Sequence, residues 1–164
     1  MTAADVVAAT VWDELVGQPR VVEVLRAAAA GQGMSHAYLF TGPPGSGRSN
    51  AAVAFAAALQ CDQQPPGCGT CHACHTVLAG SHADVIQVRT EGLTIGIKSV
   101  RDLVRRSALA PVGKRWQIVI VEDADRLTEG ACNALLKAIE EPTERTVWML
   151  CAPTVEDVLP TIVS

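Results

Sequence analysis

Apolar residues recur along the chain at two different spacings, and short polar turns separate the segments. Val21 to Ala30 carries them at helical spacing and stops at Gly31, a residue that ends helices readily. Ala37-Tyr38-Leu39-Phe40 reads as a short buried strand that runs straight into the glycine-rich segment Gly42–Ser49. The pattern predicts a helix over Arg48–Gln60, a strand over Val85–Val88 and a helix over Ile97–Ala110. In that last helix Arg101, Arg105 and Arg106 interleave with Val100, Leu103 and Val104. The run from Trp116 to Val121 has the character of a central parallel strand covered on both faces. Helix Gly130–Glu140 ends at Glu141-Pro142, and Thr146–Cys151 supplies another buried strand. Strands alternating with helices predict an α/β fold, with a parallel sheet sandwiched by helices.

Composition narrows the picture. The 164 residues are one domain's length, and 49% hydrophobic against 18% charged excludes general disorder. Aromatics are only 4%, and much of the apolar content is alanine, which suits closely packed helices. A net charge of −4 argues against a stand-alone basic nucleic-acid-binding domain, leaving any DNA contact to a local patch or to partners. The longest apolar run, Ala51–Leu59, is far below the ~20 residues of a membrane span. The N-terminus lacks the basic start of a secretory signal, so the expected compartment is the cytoplasm. There, cysteines are metal ligands or buried thiols more often than disulfides.

Gly42-Pro43-Pro44-Gly45-Ser46-Gly47-Arg48-Ser49 fits the phosphate-loop pattern G-x-x-x-x-G-K-[ST] except that Arg48 stands in place of lysine. Such a loop lets backbone N–H groups converge on phosphate oxygens at a helix N-terminus, and Ser49 stands where a hydroxyl would ligate Mg²⁺. Strand, loop and helix in that order favour a P-loop over a structural turn. Arg48 keeps the charge, but its planar fork is bulkier than an ammonium, which argues against efficient hydrolysis. The strand Gln117–Val121 ends in Glu122-Asp123-Ala124-Asp125, the reverse of the Asp-then-Glu order that holds magnesium and polarises water. Residual nucleotide chemistry and a purely structural acidic turn both remain open for Glu122 and Asp123.

Cys61, Cys68, Cys71 and Cys74 follow as C-x6-C-x2-C-x2-C, in a stretch rich in Gly and Pro that reads as a compact insertion, residues 61–82, with little core of its own. Four closely spaced thiols suit tetrahedral Zn²⁺ in a closed, structural site. An iron–sulfur cluster or unligated thiols are the alternatives, and His72, His75 and His82 are candidate substitutes for one cysteine. Cys132 and Cys151 fall in apolar patterns and read as buried thiols.

Taken together, these motifs name a family. Ser35-His36-Ala37-Tyr38-Leu39-Phe40 leads into the loop, and the cysteine insertion follows the loop helix. Glu122-Asp123-Ala124-Asp125-Arg126-Leu127-Thr128 precedes Asn133-Ala134-Leu135-Leu136-Lys137-x-x-Glu140-Glu141-Pro142. The whole chain closely resembles the N-terminal AAA+ (RecA-like) P-loop module of bacterial clamp-loader subunits of the DNA polymerase III holoenzyme, a nucleotidyltransferase assembly. With Arg48 and the Glu-Asp-Ala-Asp form, it looks like the delta-prime branch rather than the gamma/tau motors. The resemblance implies a stator in a five-subunit ring with gamma/tau and delta, which loads the sliding clamp onto primed DNA during replication. It implies structural Zn²⁺, weak or vestigial ATP/Mg²⁺ binding, and little or no hydrolysis. The other reading is an ATP-hydrolysing gamma/tau-like motor that tolerates Arg48. A small-molecule P-loop phosphotransferase has no support beyond the loop.

By this resemblance residues 1–164 are the first domain, and the family's lid and collar domains are not in this chain. Ser164 matches the serine of the family's Ser-Arg-Cys motif, whose arginine reaches a neighbouring ATP site. Val16-Gly17-Gln18 resembles the adenine-pocket segment, and Thr154 approximates the polar sensor of the motors. Arg101, Arg105 and Arg106 either face DNA phosphates or form a solvated helix face. Trp12, Trp116 and Trp148 are expected to be packing residues.

Overall fold

A computed structural model describes residues 10–15, 19–43, 47–90, 92–113, 115–155 and 158. The stretch 16–18, residues 44–46 of the glycine loop and the C-terminal 159–164 lie outside the described residues, and with them the readings placed on Val16-Gly17-Gln18 and Ser164.

The described chain opens with a short 3-10 turn, Val11–Glu14, capped by Thr10, whose hydroxyl accepts the Trp12 N–H while Asp13 accepts the Thr10 N–H. Then come α1 (Pro19–Ala29), β1 (Ala37–Thr41), α2 (Arg48–Gln60), α3 (His72–Leu78) and β2 (Val85–Val88). These are followed by α4 (Ile97–Ser107), β3 (Gln117–Val121), α5 (Glu129–Glu140) and β4 (Thr146–Ala152). The strands form one parallel sheet in the order β1-β4-β3-β2.

Period-two alternation in β3 and β4 builds two cores. Ile118, Ile120, Val147, Met149 and Cys151 face the layer containing α1, α2 and α3. Val119, Val121, Trp148, Leu150 and Ala152 face α4 and α5. Both strands are buried throughout, which is why each reads as an apolar run rather than an alternation. Helix α2 is buried almost all round, and its alanines let it lie close to the sheet with α1 and α3 against it. Helix α4 is the opposite case: Val100, Leu103 and Ser107 point inward. Arg101, Arg105 and Arg106 lie on its exposed side, where Asp102 pairs with Arg105 and Arg106. Trp12 and Trp148 are buried, and Trp116 packs at the edge of the core beneath the Arg145 guanidinium, 5.2 Å away.

Several boundaries depart from the sequence pattern for identifiable reasons. Pro19 begins α1 two residues before Val21, at a position where a missing N–H costs nothing. Thr128 caps α5 by accepting the Ala131 N–H, so that helix starts at Glu129. Helix α4 stops at Ser107 rather than Ala110: Pro111 has no N–H to offer the Ser107 carbonyl, which instead accepts the Thr146 hydroxyl. The chain then turns onto buried Asp84, which accepts the Val112 and Gly113 N–H groups. Trp116 lies outside β3, where the Gln60 side-chain amide brackets its backbone: it donates to the Trp116 carbonyl at 2.6 Å and accepts the Trp116 N–H at 3.3 Å. The cysteine segment is less coreless than its composition suggests. It contains α3, whose Cys74 and Val77 are buried as part of the α2-side core. Among the described residues no helix is long and apolar enough to cross a membrane.

Candidate functional site

All four strands point their C-terminal ends to the same rim, where α/β sheets place their sites. The Gly42 N–H donates to the carbonyls of Ala152 and Pro153, fixing the start of the glycine loop against the end of β4. Gly47, at φ 90°, turns the chain into α2, a conformation that glycine adopts without strain. A cleft of 1240 Å³ opens here, lined on one side by Gly47, Arg48 and Ser49 and on another by Arg89, Glu122 and Asp123. Gly69, Thr70 and Leu78 of the cysteine segment close its third side.

The loop residues Gly47, Arg48 and Ser49 and the acids Glu122 and Asp123 thus line one cleft. Gly42 and Pro43 are not among the residues that line this cleft, and Pro44, Gly45 and Ser46 lie outside the described residues. What the sequence did not anticipate is how fully the charged groups engage one another. Arg48 Nη1 donates to the Gly42 carbonyl at 2.7 Å, bending back across its own loop. Burial pushes the Cys151 thiol, at the end of β4, up to about 11, with Arg48 and Ser49 pulling it weakly the other way. Arg89 grips Glu122 with Nε at 2.7 Å and Nη2 at 3.3 Å, and the Thr90 N–H donates to Asp123 Oδ2 at 3.1 Å.

Arg89 was not singled out from the sequence. Its signal is an arginine placed one residue past a strand, and it gains meaning only once β2 is known to lie beside β3. The parallel register Val88↔Val121 then sets Arg89 against Glu122 and Thr90 against Asp123. Hydrogen bonding and charge attraction from Glu122 hold the Arg89 guanidinium still more firmly protonated. Both Glu122 oxygens are taken by a guanidinium, and the loop's cation is turned onto its own backbone.

The cysteines are arranged in the opposite sense. The Sγ atoms of Cys61, Cys68, Cys71 and Cys74 all lie within 4.8 Å of one another. Cys61 and Cys68 are 3.7 Å apart, and Cys61 and Cys71 3.8 Å, matching the edge of about 3.8 Å that a tetrahedron with Zn–S bonds near 2.3 Å requires. Backbone N–H groups of Gln63, Cys71 and Cys74 point at the sulfurs of Cys61, Cys68 and Cys71 at 3.4, 3.2 and 3.4 Å, the donor pattern that steadies thiolates. Hydrogen bonding by the Thr70 backbone lowers the Cys68 thiol to about 6, whereas burial raises Cys71 and Cys74. The cluster fits a four-cysteine zinc knuckle. No histidine joins it: the His82 Nδ1 instead accepts the Asp84 N–H, and burial lowers that imidazole's pKa. Cys132 and Cys151 are buried elsewhere.

The knuckle is also stitched to the N-terminal turn. The Val11 N–H donates to the Gly67 carbonyl at 3.0 Å. Gly67 lies at φ +99°, and a Cβ placed there would sit 2.8 Å from Trp12 Nε1 and 2.9 Å from Val11 Cγ2.

Residues 17–164 match the family described as DNA polymerase III, delta subunit, and the chain belongs to that family. DNA polymerase III subunit tau of Bacillus subtilis is 34% identical over 155 residues, covering 93% of this chain and 27% of that protein. DNA polymerase III subunit delta' of Pseudomonas aeruginosa is 40% identical over 136 residues, covering 79% of this chain and 41% of that protein. The fold also superposes on the crystal structure of a DNA polymerase III gamma subunit-related protein from Thermotoga maritima with a TM-score of 0.61 and 25% identity. That match covers 87% of this chain and 42% of the Thermotoga chain. The chain spans less than half the length of each of these proteins.

Proposed function

We propose that this chain is the AAA+ P-loop domain of a delta-prime-like clamp-loader subunit of DNA polymerase III, a stator that hydrolyses little or no ATP. In this reading it sits in a ring with gamma/tau and delta subunits and contributes to loading the sliding clamp onto primed DNA in the cytoplasm. The observation that carries it is the internal engagement of the cleft's charges: Arg48 on the Gly42 carbonyl and Arg89 on Glu122. A hydrolytic site needs a mobile loop cation for the phosphates and acids open to metal and water. Here those groups already have partners within the chain. The kinship with tau favours a motor as the second reading, since that relative covers 93% of the chain.

An ATPase assay on a ring reconstituted with the full-length subunit separates the two. The stator reading expects turnover to be unchanged by Asp123→Asn in this subunit. Turnover lost on that substitution would establish the motor instead.

Cys61, Cys68, Cys71 and Cys74 would hold Zn²⁺ as a structural cross-link. Four thiolates complete its tetrahedral shell, so the ion would have no open position for catalysis. Elemental analysis should return one zinc per chain, and iron in its place, or no metal, would remove this assignment.

A further inference from the structure

The cleft holds an ion pair that the family assignment does not require. Glu122 has only 9% of its side chain exposed, and burying a carboxylate without a partner costs free energy. In a P-loop site that partner is ordinarily a divalent cation bound with the nucleotide. Here the partner is built into the chain. The β2–β3 ladder continues past the strands, with the Glu122 N–H on the Val88 carbonyl at 2.9 Å, so Arg89 arrives beside Glu122 by register rather than by a flexible reach. The side-on fork, Nε to Oε2 and Nη2 to Oε1, occupies both carboxylate oxygens. One residue further on, the Thr90 N–H takes Asp123 Oδ2, so the two acids are held by two consecutive residues of one segment.

We propose that Arg89 is the resident counter-ion of Glu122, supplying the positive charge that a divalent cation would otherwise bring, so that this cleft does not recruit Mg²⁺. Arg89 acts here as a positioning residue, through Glu122 and not on a substrate. The inference rests on reading the cleft as non-hydrolytic, and it goes further by naming the group that excludes the metal.

The test uses Mn²⁺ as the probe, followed by electron paramagnetic resonance with the purified full-length subunit, with and without ADP. The zinc knuckle is kept loaded, and Glu122→Gln serves as the reference for binding elsewhere. Wild type should bind no more Mn²⁺ than Glu122→Gln. Arg89→Ala should bind it at least ~10-fold more tightly, the scale on which a neighbouring cation biases a carboxylate. Adding Glu122→Gln to Arg89→Ala should abolish that gain, and Arg89→Lys should restore exclusion. A merely structural arginine would leave Mn²⁺ affinity unmoved. Arg89→Gln, which keeps a hydrogen-bonding head without charge, provides the same comparison should Arg89→Ala fail to fold.

Wild-type Mn²⁺ binding that depends on Glu122, or no gain in either uncharged variant, overturns the proposal. ATP turnover sensitive to Asp123→Asn, by contrast, overturns the non-hydrolytic reading whatever the Mn²⁺ result.

Discussion

The cysteine knuckle and the P-loop cleft share a wall, yet their polar groups are organised in opposite ways. In the knuckle four sulfurs converge on one point, and backbone N–H groups stand behind them. In the cleft each charged side chain turns to a partner within the chain, Arg48 to a carbonyl and Arg89 to Glu122. The motif residues are nearly complete in both places, so motif content alone does not separate donors that converge on one centre from charges that already pair within the chain. Convergence does. Donors of one kind aimed at a common centre can share an ion, whereas opposite charges already in contact leave it little to gain.

The largest test of this contrast removes a convergent donor. Cys71→Ser should lower stability by upwards of ~4 kcal/mol, a fall of roughly 10 °C in the thermal midpoint, as loss of a structural metal ligand does. Cys132→Ser, at a buried thiol outside the cluster, should cost about 1–2 kcal/mol. Equal midpoints in the two melts would erase the distinction between knuckle and ordinary core.

Next comes a pH effect on the cleft side. Burial raises the Cys151 thiol from its ordinary 9.0 to about 11, so the unfolded chain loses this proton first as pH rises. Stability from this group is therefore fully present below pH 9 and is lost between about 9 and 11, by about 2–3 kcal/mol. Cys151→Ala should flatten that stretch of the denaturation-against-pH curve, and an unchanged slope would show that burial does not hold the thiol protonated.

The smallest effect probes the seam between the knuckle and the N-terminal turn. Gly67→Ala must adopt a left-handed backbone and press a methyl into Trp12 and Val11, which should cost about 1–2 kcal/mol in a chemical melt. A neutral result would mean that the seam yields freely.

The layer structure was legible because local pattern and burial agree. Ile118 and Ile120 alternate with Val119 and Val121 across two cores, and the strand–loop–helix order around Gly42–Ser49 leaves little choice of topology. The cysteine cluster was legible from spacing alone. Helix α3 was not, because prolines, glycines and metal-ligand residue types mask a helix held chiefly by Cys74 and Val77 against α2. The end of α4 is written locally in Pro111, which has no N–H for the Ser107 carbonyl; what no local rule reaches is the Thr146 hydroxyl, 39 positions later, that takes that carbonyl. Arg89 was hidden for the same reason: its meaning lies in which strand is the neighbour of β3, a fact of tertiary order rather than of motif.

The packing of Trp12 against the Gly67 turn has a spectroscopic consequence. Its indole lies between a glycine of the cysteine segment and the Arg26 guanidinium, 5.9 Å from the ring centroid, while Trp148 is buried in the opposite layer of the sheet. One fluorophore therefore sits on the cysteine segment, Trp116 packs at the edge of the same core, and Trp148 belongs to the other layer. The chain carries its own optical gauge of whether that segment is in place, with an internal reference across the sheet.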